Sequence, residues 1–67
     1  MRFIKLHRVQ PNDQATVIHL NADRIVCIEP RATGTLVLTE HTAIRVKENA
    51  EDIITAIDAL NYVGKEG

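Results

Sequence analysis

The segment LNADRIVCIEP, residues 20–30, sets four apolar side chains in succession, Ile25 to Ile28, in a chain of only 67 residues. The polar turn before this run and Pro30 after it delimit a short β-strand, since proline cannot donate to a sheet hydrogen bond. Successive side chains of a strand point to opposite faces of the sheet, so the run directs apolar groups to both faces. A chain of about 60 residues buries only about 60% of its unfolded surface. The run therefore predicts that this chain covers one face and a partner covers the other.

Short apolar alternations predict four further strands, separated by turn-forming segments such as QPNDQ and PRATG. The predicted strands cover about residues 2–8, 15–20, 24–29, 34–39 and 42–47. The last two strands are joined by the two-residue loop Glu40-His41 if Thr39 pairs with Thr42, and a longer loop is the alternative. One face of the strands carries a set of aliphatic side chains: Ile4, Leu6, Ile18, Leu20, Leu36, Leu38, Ile44 and Val46.

A helix is predicted at about residues 50–63. Asn49 is a good N-cap, and Glu51 and Asp52 put negative charge in the first turn. Apolar residues recur at helical spacing along one side, and Gly64 suits the position that follows a helix. The helix therefore has an apolar stripe that needs a sheet to cover, formed by Ile53, Ile54, Ile57 and Leu60 with Ala56 at its margin.

Together these elements predict a single α+β domain over residues 1–67. The order is β-β-β-β-β-α, a small curved antiparallel sheet of about five strands with one C-terminal helix packed on one face. No stretch approaches the ~20 apolar residues of a membrane-spanning helix, so membrane insertion is not expected. The single cysteine, Cys27, cannot form a disulfide within the chain, and a lone reduced cysteine is typical of a cytoplasmic protein.

The second face of the sheet has nothing in the chain to cover it. Apolar side chains at its centre with basic residues around them are typical of an interface core and its rim. Either Ile25 and Cys27 or Val26 and Ile28 would belong to this face, and the sequence leaves that choice open. We expect a homo-oligomer, with a dimer favoured, or docking on another protein. The predicted interface residues are Lys5, Val17, His19, Cys27, Val37, Arg45 and Lys47, with His7 on the same face.

Signs of catalysis or cofactor binding are sparse. The glycines are isolated, so there is no phosphate-binding loop, and Cys27 has no partner in a nucleophile arrangement. His7 and His19 could be cross-strand neighbours able to hold zinc, but exposed strand histidines are far more common than ligands. The sequence predicts a protein that is not an enzyme, with no catalytic residues, no cofactor and no metal.

The chain resembles the small flagellar FlbD family, also called the swarming-motility SwrD family. That family runs from an Ile-x-Leu strand through an Asn-containing turn and an Ile-x-x-Ile-Glu strand to a Thr-rich hairpin and an amphipathic helix. The resemblance spans about residues 3–60 and implies this bacterial fold with a motility-related role. The matching residues are Ile4, Leu6, Leu20, Asn21, Ile25, Ile28, Glu29, Thr35, Val46, Glu48, Asn49, Ile53 and Ile57.

The same stretch is also similar to the C-terminal half of LytTR-type DNA-binding domains. Those domains share a strand that ends in Ile-Glu, a hairpin and a helix led by a Val-Arg motif. The resemblance implies nucleic-acid binding through Arg31, Thr33 and Arg45 as the alternative function. A half-length chain with a net charge of −1 would have to dimerise to present enough phosphate contacts.

Overall fold

The computed structural model describes residues 2–66, with side chains for residues 2–61. Five strands form one open antiparallel sheet, and one α-helix follows them, which confirms the α+β prediction. The strands lie in the order β2-β1-β5-β4-β3. A short 3₁₀ helix (Ala22–Arg24) connects β2 to β3. The elements are β1 (Phe3–Val9), β2 (Ala15–Asn21), β3 (Ile25–Pro30), β4 (Thr35–Thr39), β5 (Ala43–Val46) and α1 (Ala50–Glu66).

Each strand begins and ends within one residue of its predicted bounds, because local turn signals delimit them. At the start of α1, Asn49 acts as the N-cap, since its Oδ1 accepts a hydrogen bond from the Asp52 N–H at 2.8 Å. The other end of α1 differs from the prediction. The helix runs on to Glu66, so Gly64 lies inside it rather than after it.

The loop between β4 and β5 is the shorter of the two loops that the sequence allows, with Glu40 and His41 at its tip. The Thr39 N–H donates to the Thr42 carbonyl at 2.8 Å. In return, Thr39 Oγ1 accepts from the N–H groups of His41 at 3.3 Å and Thr42 at 3.1 Å. The threonine hydroxyl thus satisfies turn donors in a loop that lacks the glycine such turns prefer.

The core lies between α1 and one face of the sheet. Leu6 and Val46, from the central strands β1 and β5, are almost completely buried and share the core with Ile53 of α1. Ile4 and Val37 complete the buried cluster. A ring of partly buried aliphatic residues packs around it: Ile18, Leu20, Ile25, Ile28, Ile44, Ala56, Ile57 and Leu60.

Strand β4 faces the opposite way from the prediction. Val37, predicted on the uncovered face, has no exposed surface and lies opposite Ile44 and Ile28 in the core. Leu36 and Leu38, predicted under the helix, alternate with it on the other face and are only partly buried. Strand β4 (TLVLT) has apolar residues on both faces, so its sequence pattern does not decide which face points inward. The prediction that Leu36 and Leu38 point inward is wrong.

A β-bulge in β3 decides the faces of the apolar run. The pairing with β4 is irregular between Ile25 and Cys27, which leaves Val26 as an extra residue. Ile25 and Ile28 therefore both pack against the core, although a regular strand would put them on opposite faces. Val26 is 67% exposed and Cys27 is exposed. Neither predicted pairing of faces is correct, because each assumed a regular strand.

Candidate assembly surface

The sheet face opposite α1, here called the outer face, carries basic and histidine side chains on β1 and β2. Lys5 lies opposite His19, and His7 lies opposite Val17. These residues alternate with Ile4 and Leu6, which point into the core. The structure therefore places Lys5, His7, Val17 and His19 on the outer face, as the alternation predicts.

On β3, β4 and β5 the outer face is more apolar. Leu38 lies between Cys27 on one side and Ala43 on the other, so the three form a row across the three strands. Leu36, two residues along β4, lies between Glu29 and Arg45. We call Cys27, Leu36, Leu38 and Ala43 the outer strip. Cys27 and Ala43 are exposed, Leu36 and Leu38 are partly buried, and the charged residues Glu29 and Arg45 border the strip.

Exposed apolar side chains also lie beyond the strip. Val17 on β2 is 49% exposed, Phe3 at the start of β1 is 44% exposed, and Val26 lies at the bulge of β3. The sequence predicts Val26 on the outer face only as one of two alternatives, and it predicts Leu36 and Leu38 on the inner face. Leu36 and Leu38 carried a usable signal, since TLVLT is apolar at both alternations, but nothing in the sequence marks the bulge.

The basic residues divide into paired and unpaired sets. Arg2, Arg24 and Arg31 form ion pairs with Asp23 at 3.0 Å, Glu40 at 3.3 Å and Glu29 at 2.9 Å. Within residues 2–61, no carboxylate lies within 4.0 Å of the remaining basic side chains. These are Lys5, Arg8, Arg45 and Lys47, of which Lys5 and Arg45 lie on the outer face and Lys47 is exposed just after β5. The cations available to an incoming partner are therefore concentrated on β1 and β5.

His7 is fixed by a contact to the segment before α1. The carboxylate of Glu48 accepts from the His7 backbone N–H at 2.9 Å, and its other oxygen lies 2.7 Å from His7 Nδ1. Burial raises the pKa of Glu48, but the hydrogen bonds from the His7 ring and backbone outweigh it and hold that pKa below its ordinary value. This contact joins β1 to the start of the helix.

Among the described side chains, His7 and His19 are not brought together with a third ligand residue. They lie on the same face in neighbouring cross-strand pairs, and the Nδ1 atom of His7 is already occupied by Glu48. In the part of the chain with described side chains, no three histidine, cysteine or acidic residues are placed to hold a metal ion.

The residues of the nucleic-acid alternative are only partly brought together. Thr33 and Arg45 line one open hollow with Lys47 between the β1–β2 and β3–β4 turns, and Asp13 contributes an acid to its lining. Arg31 does not line this hollow, because its guanidinium is paired with Glu29. Two of the three predicted contacts thus line the same hollow, together with the carboxylate of Asp13.

Within the described residues, both edges of the sheet are open. β2 is paired only with β1, and β3 only with β4. The apolar run Ile25 to Ile28 therefore lies on an edge strand, where another chain can approach it from the side as well as from the outer face.

Comparison with known proteins does not assign this surface. The chain matches no protein-family model, no curated protein and no solved structure. No helix in the described part of the chain is long and apolar enough to cross a membrane.

Proposed function

We propose that the protein is a non-enzymatic binding or assembly module that acts through sheet-mediated self-association or protein docking. The observation that carries this proposal is the outer strip, in which Cys27 and Ala43 are exposed and Leu36 and Leu38 are only partly buried, while α1 packs on the other face. Burial of apolar surface stabilises an association by about 25 cal/mol per Å² before the cost of ordering is subtracted.

In this mechanism the apolar residues supply the contact and the unpaired cations orient it. Leu36, Leu38 and Cys27 lose water on association, and Val17 adds a second contact on β2. Lys5, His19, Arg45 and Lys47 lie around them, where charges set the orientation and rate of an encounter more than its strength. A dimer is the simplest assembly that covers such a face. The resemblance to the flagellar family supports a motility-related setting.

Nucleic-acid binding has weaker support. It would need Arg31, Thr33 and Arg45 to contact one phosphate backbone, and Arg31 is held by Glu29 outside the hollow that the other two line. Asp13 in that hollow would repel a polyanion.

The first test compares two adjacent residues of β4 that point to opposite faces. Wild-type protein should show about twice the mass of the 7.5 kDa chain by light scattering at micromolar concentration. Leu38→Asp, on the outer strip, should give the monomer mass with the helical circular-dichroism signal intact. Val37→Asp should unfold the chain, because an unpaired carboxylate in the core costs several kcal/mol.

A monomeric wild-type protein at these concentrations would refute self-association. Equal loss of structure in the two variants would mean that Leu38 also belongs to the core, which would remove the outer strip. Thr33→Asp serves as a control, since this exposed loop residue lies outside the strip and should change neither mass nor helix signal.

A further inference from the structure

We infer that the partner on the outer strip is a second copy of this chain, whose own outer strip packs on it face to face with β4 over β4. The inference rests on the proposed self-association and specifies its geometry. Four observations lead to it: the features of β3 that disfavour pairing at its edge, the curvature of the sheet, the order of charges across the strip and the basic hollow beside it.

The edge of β3 is poorly suited to a partner strand. The bulge at Val26 interrupts its regular pairing pattern, and Pro30 at its end has no N–H to donate. Such features protect the edges of natural sheets from pairing with other chains. A partner that removes water from Cys27 and Leu38 therefore approaches the face of the sheet and not its edge.

The outer face is convex. β2 and β3 are the two edges of the five-stranded sheet, yet only three residues, Ala22–Arg24, connect them. Neighbouring strands lie about 4.8 Å apart, so the edges of a flat sheet of this size would be roughly 19 Å apart. A 3₁₀ segment of this length rises only about 6 Å, so the sheet must curve around the core. Two such convex faces can contact each other along a central strip, which is where the apolar residues lie.

The charges beside the strip follow an order across three strands. Leu36 on β4 lies between Glu29 on β3 and Arg45 on β5. This row therefore has an acid on one side of β4 and a base on the other. The row through Leu38 carries no charge. A face with this order is complementary to itself after a half-turn about β4.

A twofold axis that runs along β4, between the two sheets, uses this order. It sets Leu36 and Leu38 over the same residues of the other copy and exchanges β3 with β5. Glu29 of each copy then lies over Arg45 of the other, so the ion pair occurs twice. Aligned sheets pack about 10 Å apart, a gap that leucines fill from both sides and that a glutamate and an arginine span together.

A twofold axis across the strands does not match the charges. It would reverse the order of the rows, so that Glu29 lies over Cys27 of the other copy and Arg45 over Ala43. Each charge would then be covered without a counter-ion, which is costly. The order of charges therefore selects the axis along β4.

The hollow beside the strip receives the incoming acid. Arg45 and Lys47 line it, and neither forms an ion pair among the described side chains. Arg31, which is paired with Glu29 at 2.9 Å, enters the contact together with Glu29 of the other copy. Asp13 also lines the hollow and is the acid that Arg31 meets there. The acid that disfavours a polyanion in this hollow thus fits an incoming pair of opposite charges.

Charge reversal tests the arrangement directly. Arg45→Glu alone sets two acids against each other on both sides of the axis, and Glu29→Arg alone sets two arginines there. Each single variant should weaken dimerisation at least about tenfold in Kd, because like charges brought together across an interface are destabilising. Analytical ultracentrifugation across a dilution series measures the change.

Mixing the two single variants provides the decisive measurement. In a heterodimer of one Arg45→Glu chain and one Glu29→Arg chain, both contacts are again acid against base. An equimolar mixture, with one variant labelled with ¹⁵N for native mass spectrometry, should form heterodimers with affinity close to wild type. The double variant carrying both changes should likewise recover as a homodimer.

The matched control is Arg8→Glu, which makes the same change of charge on the α1 side of the sheet, where Arg8 lies opposite the buried Val46. It should dimerise like wild type, and circular dichroism should show native helix in all variants. A dimeric wild type whose single variants are unaffected, or whose mixture does not recover, overturns the arrangement about β4 and leaves self-association standing. A monomeric wild type removes the proposed function itself, so the two failures are distinguishable.

Discussion

At the residue scale, Gly34 shows how one position closes the loop between β3 and β4. The Arg31 N–H donates to the Gly34 carbonyl at 3.1 Å, and Gly34 has a φ of +75°. A Cβ built on it would overlap the carbonyl oxygen of Val46, on β5. The loop thus passes so close to the neighbouring strand that only glycine fits.

Gly34→Ala should therefore lower the free energy of unfolding by roughly 2–3 kcal/mol, since it combines a left-handed backbone with a steric overlap. Urea denaturation monitored by circular dichroism measures the change. Ala32→Gly, an exchange of the same two residue types within the exposed part of this loop, should cost no more than about 1 kcal/mol. Equal effects of the two substitutions would show that the approach of Gly34 to Val46 is not limiting.

The burial of Thr35 could not be predicted from its neighbours in the sequence. It is 1% exposed and faces the core, because its Oγ1 donates to the Glu48 carbonyl at 2.8 Å. Nothing in the local sequence indicates that Thr35 points inward while the nearby Leu36 and Leu38 point outward. The partner that permits its burial is 13 residues away, so the inward face of β4 depends on a contact that no local pattern contains.

At the scale of elements, the signals that the sequence carries are those with local causes. The Asn49 cap and the Thr39–Thr42 loop closure involve groups within three residues of each other; the cap occurs as predicted, and the closure is the shorter of the two loop forms that the sequence leaves open. The bulge at Val26 and the reversed face of β4 arise from pairing between strands. An alternating pattern predicts which side chains of a strand face the core only when the residues of one face are clearly polar. Neither β3 nor β4 has that contrast between its two faces.

The junction between β1, β5 and α1 is another non-local feature. The Lys47 N–H donates to the His7 carbonyl at 2.8 Å, and the next residue, Glu48, accepts from the His7 backbone N–H and ring. Both backbone groups of His7 are therefore satisfied by the segment that leads into the helix. This segment holds β1 beside β5 where their regular pairing is limited to Arg8 and Val46.

The lowered pKa of Glu48 gives this junction a pH dependence. Because the carboxylate is stabilised in the folded state, its contribution is fully present above the ordinary glutamate pKa of about 4.5 and is lost as pH falls through the lower folded-state value. Glu48→Gln should remove this part of the acid dependence. The difference in unfolding free energy between wild type and variant should be constant near pH 6–7 and shrink below about pH 4.5.

Chemical denaturation of both proteins from pH 3 to pH 7 measures that difference. Glu40→Gln is the control, since this exposed carboxylate lies in the β4–β5 turn, away from the junction. A difference between wild type and Glu48→Gln that stays constant down to pH 3 would show that the bonds to His7 do not stabilise the charged form of Glu48.

At the scale of the whole molecule, the sequence predicts the residues around the candidate surface correctly but not the apolar residues at its centre. Lys5, Val17, His19 and Arg45 follow from clear alternation in their strands. Val37 does not belong to the surface, and Leu36 and Leu38 replace it. The edge position of β3 could not be predicted. It arises because β1 pairs with β5, which leaves neither β1 nor β2 beside β3. Strand order of this kind depends on contacts far apart in sequence.

If association supplies part of the stability of so small a fold, the thermal midpoint must depend on protein concentration. For a folded dimer in equilibrium with unfolded chains, a tenfold increase in concentration adds about 1.4 kcal/mol per mole of dimer. With the usual unfolding entropy per residue, this corresponds to a rise in Tm of roughly 5 °C for two chains of this length. Differential scanning calorimetry across a hundredfold concentration range should therefore show a steady increase for wild type. Leu38→Asp should give a lower Tm that does not change with concentration, because a monomer unfolds independently of its neighbours. A wild-type Tm that stays constant over the range would mean that the core under α1 holds the fold alone and that the outer strip contributes nothing to it.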